Sequence, residues 1–251
     1  GEVPAWLQFN PYVLTGYRSN LTAPQCLWSV FSIHNETGNI WTHLLPVLFY
    51  IHLWVGPGPW PDAFWTFAAA TLPSVFCLVC SNVYHIMMPL PSRDTYTNLL
   101  LVDYLSVFNV MLWPTANLVN YSFLCHPSAR TILLRSYLVV ALPMLVVAVR
   151  ARNAKERLIP FAVLSGIRMA LDVGRARVGQ ASPDASVYYI FVEVFGIGGG
   201  VLNALRYPEK ARPGGFDLWF NSHQIMHVLT ALAQLCVFKA AEADRLWWSQ
   251  R

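Results

Sequence analysis

Long apolar runs alternate with short polar breaks along most of this chain. A helix needs about 20 residues to cross a hydrocarbon core, and seven runs reach or approach that length: 39–55, 63–88, 96–124, 131–149, 158–173, 187–205 and 218–240. The breaks carry turn chemistry. GPGPWPD follows the first run, PLPSRD the second and RARNAKER the fourth; such clusters of Gly, Pro and charge end helices. The third run is longer than a span requires, so it tilts or kinks at Pro114. The fifth contains Arg168 and Asp172, spaced to pair on one helix face. The sixth holds GIGGG, which lets helix backbones approach closely. Residues 1–38 are less apolar and read as an interfacial segment. It precedes a helical domain over 39–240 and a short tail over 241–251. The pattern predicts an all-α membrane protein built as a seven-transmembrane helix bundle, with no internal repeat.

Composition strengthens this reading. Of 251 residues, 55% are hydrophobic and 12% charged, about half the charged share of a soluble domain. The net charge of +4 comes without a long Lys/Arg block, which argues against nucleic acid as a partner. Lys and Arg are nearly balanced between the two sides of a seven-span arrangement. Their dense clusters, RARNAKER and RYPEKAR, both fall in short loops on the side of the N-terminus, so the positive-inside rule makes the N-terminus cytoplasmic. The sequons at Asn20 and Asn35 are then never glycosylated, and Asn120 lies too near the membrane. Five cysteines, an odd number, do not make a disulfide framework. Cys77 and Cys80 form a CxxC without a second pair, which is not a zinc ribbon. Trp41, Trp54, Trp60, Trp65, Trp219, Trp247 and Trp248 read as an interfacial belt.

Ionisable residues inside spans cost about 2.5–3.5 kcal/mol each on insertion scales and usually mark function. The second run ends with Ser81 and His85, one helical turn apart. The third begins with Asp103 among apolar neighbours. The seventh begins FNSHQIMHVL, with His223 and His227 again one turn apart. Successive spans alternate in direction, so all five residues lie near the same membrane face. Three neutral imidazoles suit Zn²⁺ with an open fourth position. Zinc lowers the pKa of bound water to about 7 and polarises carbonyl oxygens. Asp103 is placed to hold that water and take its proton. Ser81 is placed to orient a ligand or to bond a developing oxyanion. For any one of these histidines, a satisfied interhelical hydrogen bond is the competing reading. Bis-histidine haem ligation also competes, but it leaves one histidine idle and does not need Asp103. His34, Glu36 and His43 lie near the same face in IHNETGNIWTH and read first as caps and hydrogen-bonders, then as support for the ligands. His52 and His126 lie toward the opposite face.

Three blocks resemble the progestin and adipoQ receptor family: TGYRSNLTAPQCLWSVFSIHNETGNIWTHLLP, then Ser81-x-x-x-His85 followed by Asp103, then RYPEKARPGGFDLWFNSHQIMH. The resemblance implies a seven-helix fold with a cytoplasmic N-terminus, opposite in sense to G-protein-coupled receptors. It implies an intramembrane zinc site at His85, His223 and His227, with Asp103 reached through water and Ser81 nearby. It also implies kinship with the alkaline ceramidases, which share this set. No metal position departs from the pattern, whereas the short N-terminus departs from the adiponectin-receptor branch and weighs against adiponectin binding.

The expectation is a multi-pass protein of the Golgi or plasma membrane that hydrolyses ceramide to sphingosine and a fatty acid. The acyl chain would lie in an apolar tunnel, and Lys155 or Arg157 would pair with the fatty-acid carboxylate. The alternative is a receptor for a steroid or protein ligand with a structural zinc. A transporter fits less well, because the charged residues cluster at one face instead of lining a path.

Overall fold

The computed structural model describes residues 3–151, 154–178 and 182–251, with side chains for all of these except 154, 155, 157 and 178. Eight α-helices are present and no strand appears among the described residues: α1 Ala23–Trp28, α2 Thr37–Val55, α3 Phe64–Met87, α4 Arg93–Ser122, α5 Pro127–Arg150, α6 Ala154–Val178, α7 Pro183–Leu205 and α8 Ser222–Ser249. Each of the seven apolar runs falls on one long helix, α2 to α8.

The helix ends differ from the ends of the runs, and capping chemistry explains why. α4 starts before its apolar run because the Ser92 hydroxyl accepts the Thr95 N–H at 3.2 Å, an N-cap bond. Asp94 in the first turn suits the positive helix end. α8 starts later than expected, where Asn221 Oδ1 accepts the Gln224 N–H at 3.1 Å after a left-handed Phe220. It also continues past Ala240 to Ser249, since its last turns hold buried and paired charges. α4 passes unbroken through Pro114.

Polar and apolar surfaces are inverted relative to a soluble protein. Trp65 is 81% exposed and Val139 71%, while Ser106, Thr115 and Ser122 are fully buried. Side chains arranged this way match a hydrocarbon solvent. Among the described residues, five helices, α3, α4, α5, α7 and α8, are long and apolar enough to cross a membrane. α2 and α6 are not among them; α2 carries Asn39, His43 and His52, and α6 carries Arg168, Asp172 and Arg175.

Residue contacts divide the chain into two compact units. The first comprises Gly1–His52, Leu78–Asp103 and Phe195–Leu232. Within it, the segment before α2 is strapped to the loop between α7 and α8. Asp217 accepts the Leu14 N–H at 2.9 Å and the Thr15 hydroxyl at 2.7 Å. Glu209, fully buried, accepts Asn10 Nδ2 at 2.9 Å and the Ser222 N–H at 2.7 Å. Gly16 has φ +81°, and a Cβ there would meet Leu218 at 2.7 Å and the Asn35 nitrogen at 3.1 Å. Both conformation and space demand glycine.

The second unit comprises Leu53–Cys77, Tyr104–Val194 and Ala233–Arg251. Its cores gather Leu118, Val119, Ala185, Tyr189 and Ala240, and Phe108, Tyr137, Ala141 and Leu164. It also corrects an expectation: Arg168 does not pair with Asp172. Arg168 Nε donates to Glu193 on α7, while Asp172 lies 3.6 Å from Arg175. Arg175 spends both terminal nitrogens on Asp244 of α8, at 2.9 and 2.7 Å. A carboxylate on a neighbouring helix can meet a buried guanidinium more squarely than one on the same helix face, and the pairing stitches helices together.

Candidate metal centre

Every residue of the site belongs to the first unit. His85 is fully buried in the last turn of α3. Helix C-termini leave carbonyls without intrahelical partners. Here Arg18 supplies one, with Nη2 donating to the His85 carbonyl at 2.8 Å and Nη1 donating to the Ser29 hydroxyl. This gives the arginine of TGYR a structural reason. His223 and His227 leave the same face of α8, and their ring centroids lie 4.7 Å apart. The His85 ring lies 5.3 Å from that of His223 and 4.8 Å from that of His227.

The outer nitrogens of the three rings fix their tautomers. His85 Nδ1 lies 2.7 Å from Glu36 Oε2. His223 Nδ1 lies 3.2 Å from Asn203 Oδ1. His227 Nδ1 lies 3.2 Å from the Asn39 carbonyl. All three partners are acceptors, so each Nδ1 carries the proton and each Nε2 keeps its lone pair. One ligand atom from each residue lies within 4.8 Å of the other two. His85 Nε2 is buried and has no hydrogen-bond partner among the described residues. A buried acceptor without a partner is costly, and three converging imidazole lone pairs form a donor set that suits a divalent metal of the zinc type. Burial opposes ionisation of Glu36, but hydrogen bonds from His85 and from Asn39 Nδ2, at 2.6 Å, outweigh it and bring its pKa down to about 2. The carboxylate therefore stays charged behind His85, an arrangement that raises ligand basicity.

The other candidate residues divide. Ser81 is buried, and its hydroxyl donates to the Asp103 carboxylate, which lies within electrostatic reach of His85. That bond points the Ser81 proton at the Asp103 carboxylate. Lys155 and Arg157 fall in the first turns of α6, and their side chains lie outside the described residues.

Sequence reasoning underrated Glu36, Asn39 and Asn203. Glu36 and Asn39 carried a signal: with His43 they recur at three- and four-residue spacing where the chain enters α2, which begins at Thr37. Asn203 carried none, because only the fold brings α7 against His223. Gly38 on α2 also serves the site: a Cβ there would meet the Gln224 side chain at 2.5 Å. Gln224 needs that space to bond the Asn35 and Leu218 carbonyls, at 3.2 and 2.9 Å.

Glu36→Gln is expected to weaken affinity for a divalent metal about 10–100-fold, measured by competition with a chelator of known affinity. An unchanged affinity would reduce Glu36 to a packing role.

The Haemolysin-III related family profile matches residues 31–238. The mouse protein called progestin and adipoQ receptor family member 4 is 33% identical, covering 97% of this chain and 91% of its own length. The opening LQFNPYVLTGYR and the block NSHQIMH resemble this same fourth member. Heptahelical transmembrane protein 1 of Arabidopsis thaliana is 28% identical over 96% of this chain and 78% of its own length. The adiponectin receptor protein of Drosophila melanogaster is 29% identical over 92% of this chain and 56% of its own length.

Proposed function

Because the chain belongs to the Haemolysin-III related family and is an integral membrane protein, we propose that it is a zinc-dependent hydrolase that splits ceramide into sphingosine and a fatty acid. The observation that carries this reading is the convergence of three imidazoles, with His85 and His227 buried and His223 partly so, beside a carboxylate that is not one of the ligands. His85, His223 and His227 would hold the zinc. Lewis acidity toward a carbonyl oxygen and toward water is the chemistry such an ion supplies.

The chain's own residues do the rest. Asp103 removes a proton from the attacking water and returns it to the leaving amine. The C–N bond breaks, the acyl carbon gains the oxygen and the amine nitrogen gains the proton. Ser81 holds the carboxylate in position, and Glu36, Asn203 and the Asn39 carbonyl keep the imidazoles oriented. All seven long helices act as spans in this reading. The N-terminus and the histidines are placed on the cytoplasmic side of a Golgi or plasma membrane. Lys155 or Arg157 would meet the fatty-acid carboxylate.

The test is purified protein supplied with zinc and ceramide. Equal amounts of fatty acid and sphingosine should appear and stop on metal removal with a chelator. No release from metal-replete protein would end the hydrolase reading. The relatives named as receptors favour a second reading, a receptor with a structural zinc. A saturable ligand response that persists in folded His223→Ala/His227→Ala protein would support it.

A further inference from the structure

Of the three imidazoles, His85 and His227 are buried and His223 is partly so. A cavity within the first unit reaches His223 and neither of the other two rings. Asn10, Asn35, Glu36, Asn39 and Asn221 give it polar walls, drawn from the segment before α2, the start of α2 and the residue before α8. It has about 20 Å³ open to water centres, and one water needs about 10–15 Å³. Four carboxamides and a carboxylate around such a space suit water and cations, not an acyl chain. One buried acceptor on these residues, Asn39 Oδ1, has no hydrogen-bond partner among the described residues, and ordered water is the usual partner for such an atom.

The segment before α2 completes the lining with Phe9, Val13 and Tyr17. Phe9 touches both the cavity and the surface. Its ring meets that of His223 edge-on, with centroids 6.2 Å apart, and 42% of the residue is exposed. Its backbone is held: Arg206 Nη2 donates to the Phe9 carbonyl at 3.1 Å, and the neighbouring Asn10 is tied to Glu209. The ring is therefore the part that moves, and exposed side chains change rotamer in picoseconds to nanoseconds. Room for about one water does not admit an ion with its hydration shell, so passage of an ion requires the ring to swing away.

We propose that this cavity is the entry site by which a hydrated divalent cation reaches the histidines from water, with the Phe9 ring as its gate. The inference rests on the zinc reading above, but not on ceramide and not on turnover. The Glu36 charge favours a cation over an anion there. The carboxamide oxygens stand in for waters that the ion sheds. His223, the ligand that the cavity reaches, receives the ion first. A gate changes the rates of entry and exit by one factor and leaves their ratio, the affinity, alone.

The experiment follows exchange of the metal on the full chain in detergent. Zinc loss to an excess of a coloured chelator, zinc uptake by the stripped protein and the equilibrium affinity are measured for each variant. Phe9→Ala should raise both rates about 2–10-fold, which is what losing one aromatic edge contact allows, with the affinity unchanged. Phe9→Trp, which keeps the contact, should exchange no faster than wild type. Val13→Phe, which fills the cavity, should slow loss and uptake together. Wild-type rates in Phe9→Ala overturn the inference. So does faster loss with unchanged uptake, since the affinity then falls and Phe9 merely supports His223. If Val13→Phe fails to fold, Phe9→Ala decides alone, because that side chain is partly exposed and outside the core. Wild type that takes up no zinc ends the zinc reading and this inference with it. Zinc uptake at identical rates in every variant ends the inference alone.

Discussion

Replacing Asp103 with Asn will lower ceramide hydrolysis by a factor on the order of 10²–10⁴, the range typical of a lost general base, and will leave the metal in place. The carboxylate is not among the three imidazole ligands, so its loss does not open the metal site. Asparagine keeps the shape and can still accept the Ser81 hydroxyl, but it cannot take a proton from water. The loss should therefore appear in kcat with little change in KM. Ser81→Ala should cost less, because it frees the carboxylate to wander without removing it. Turnover and zinc content measured on the same preparations separate these outcomes. Wild-type kcat in a zinc-loaded Asp103→Asn protein would remove Asp103 from the mechanism.

The second large effect concerns stability. Asp244→Ala leaves Arg175, which is fully buried, without the carboxylate that accepts both of its terminal nitrogens. Breaking a buried ion pair from one side costs about 3–5 kcal/mol, since the remaining charge stays desolvated. Asp172, at 3.6 Å from Arg175 Nε, is too far for a hydrogen bond of ordinary length and offers only partial relief. The thermal midpoint in detergent should fall clearly. The double variant Arg175→Met/Asp244→Leu should recover most of the loss, because it removes both charges and keeps apolar volume. An unchanged midpoint in Asp244→Ala would show that water reaches this pair.

Much of the helix inventory was legible because a hydrocarbon solvent forces long apolar runs, and each run found one helix. The ends were less legible. Ser92 and Asn221 cap α4 and α8 through single side-chain bonds, which hydropathy does not register. The three clustered histidines were legible from span alternation, which fixes depth before any contact is known. Their supporting residues were harder, because the pairing of Glu36 with His85 crosses from the start of one helix to the end of the next. Arg168 shows the limit of local spacing: Asp172 stood at the right interval, but Glu193 on another helix met the guanidinium. The bond between Arg175 and Asp244 had no local signal at all.

The central claim is that His85, His223 and His227 hold one zinc ion, and the metal content of the purified protein tests it most directly. Protein prepared without chelators in zinc-containing buffer should carry about one zinc per chain. His223→Ala protein that remains folded should carry far less, and the triple alanine variant none. A wild-type protein without zinc, or a triple variant that keeps it, would contradict the account.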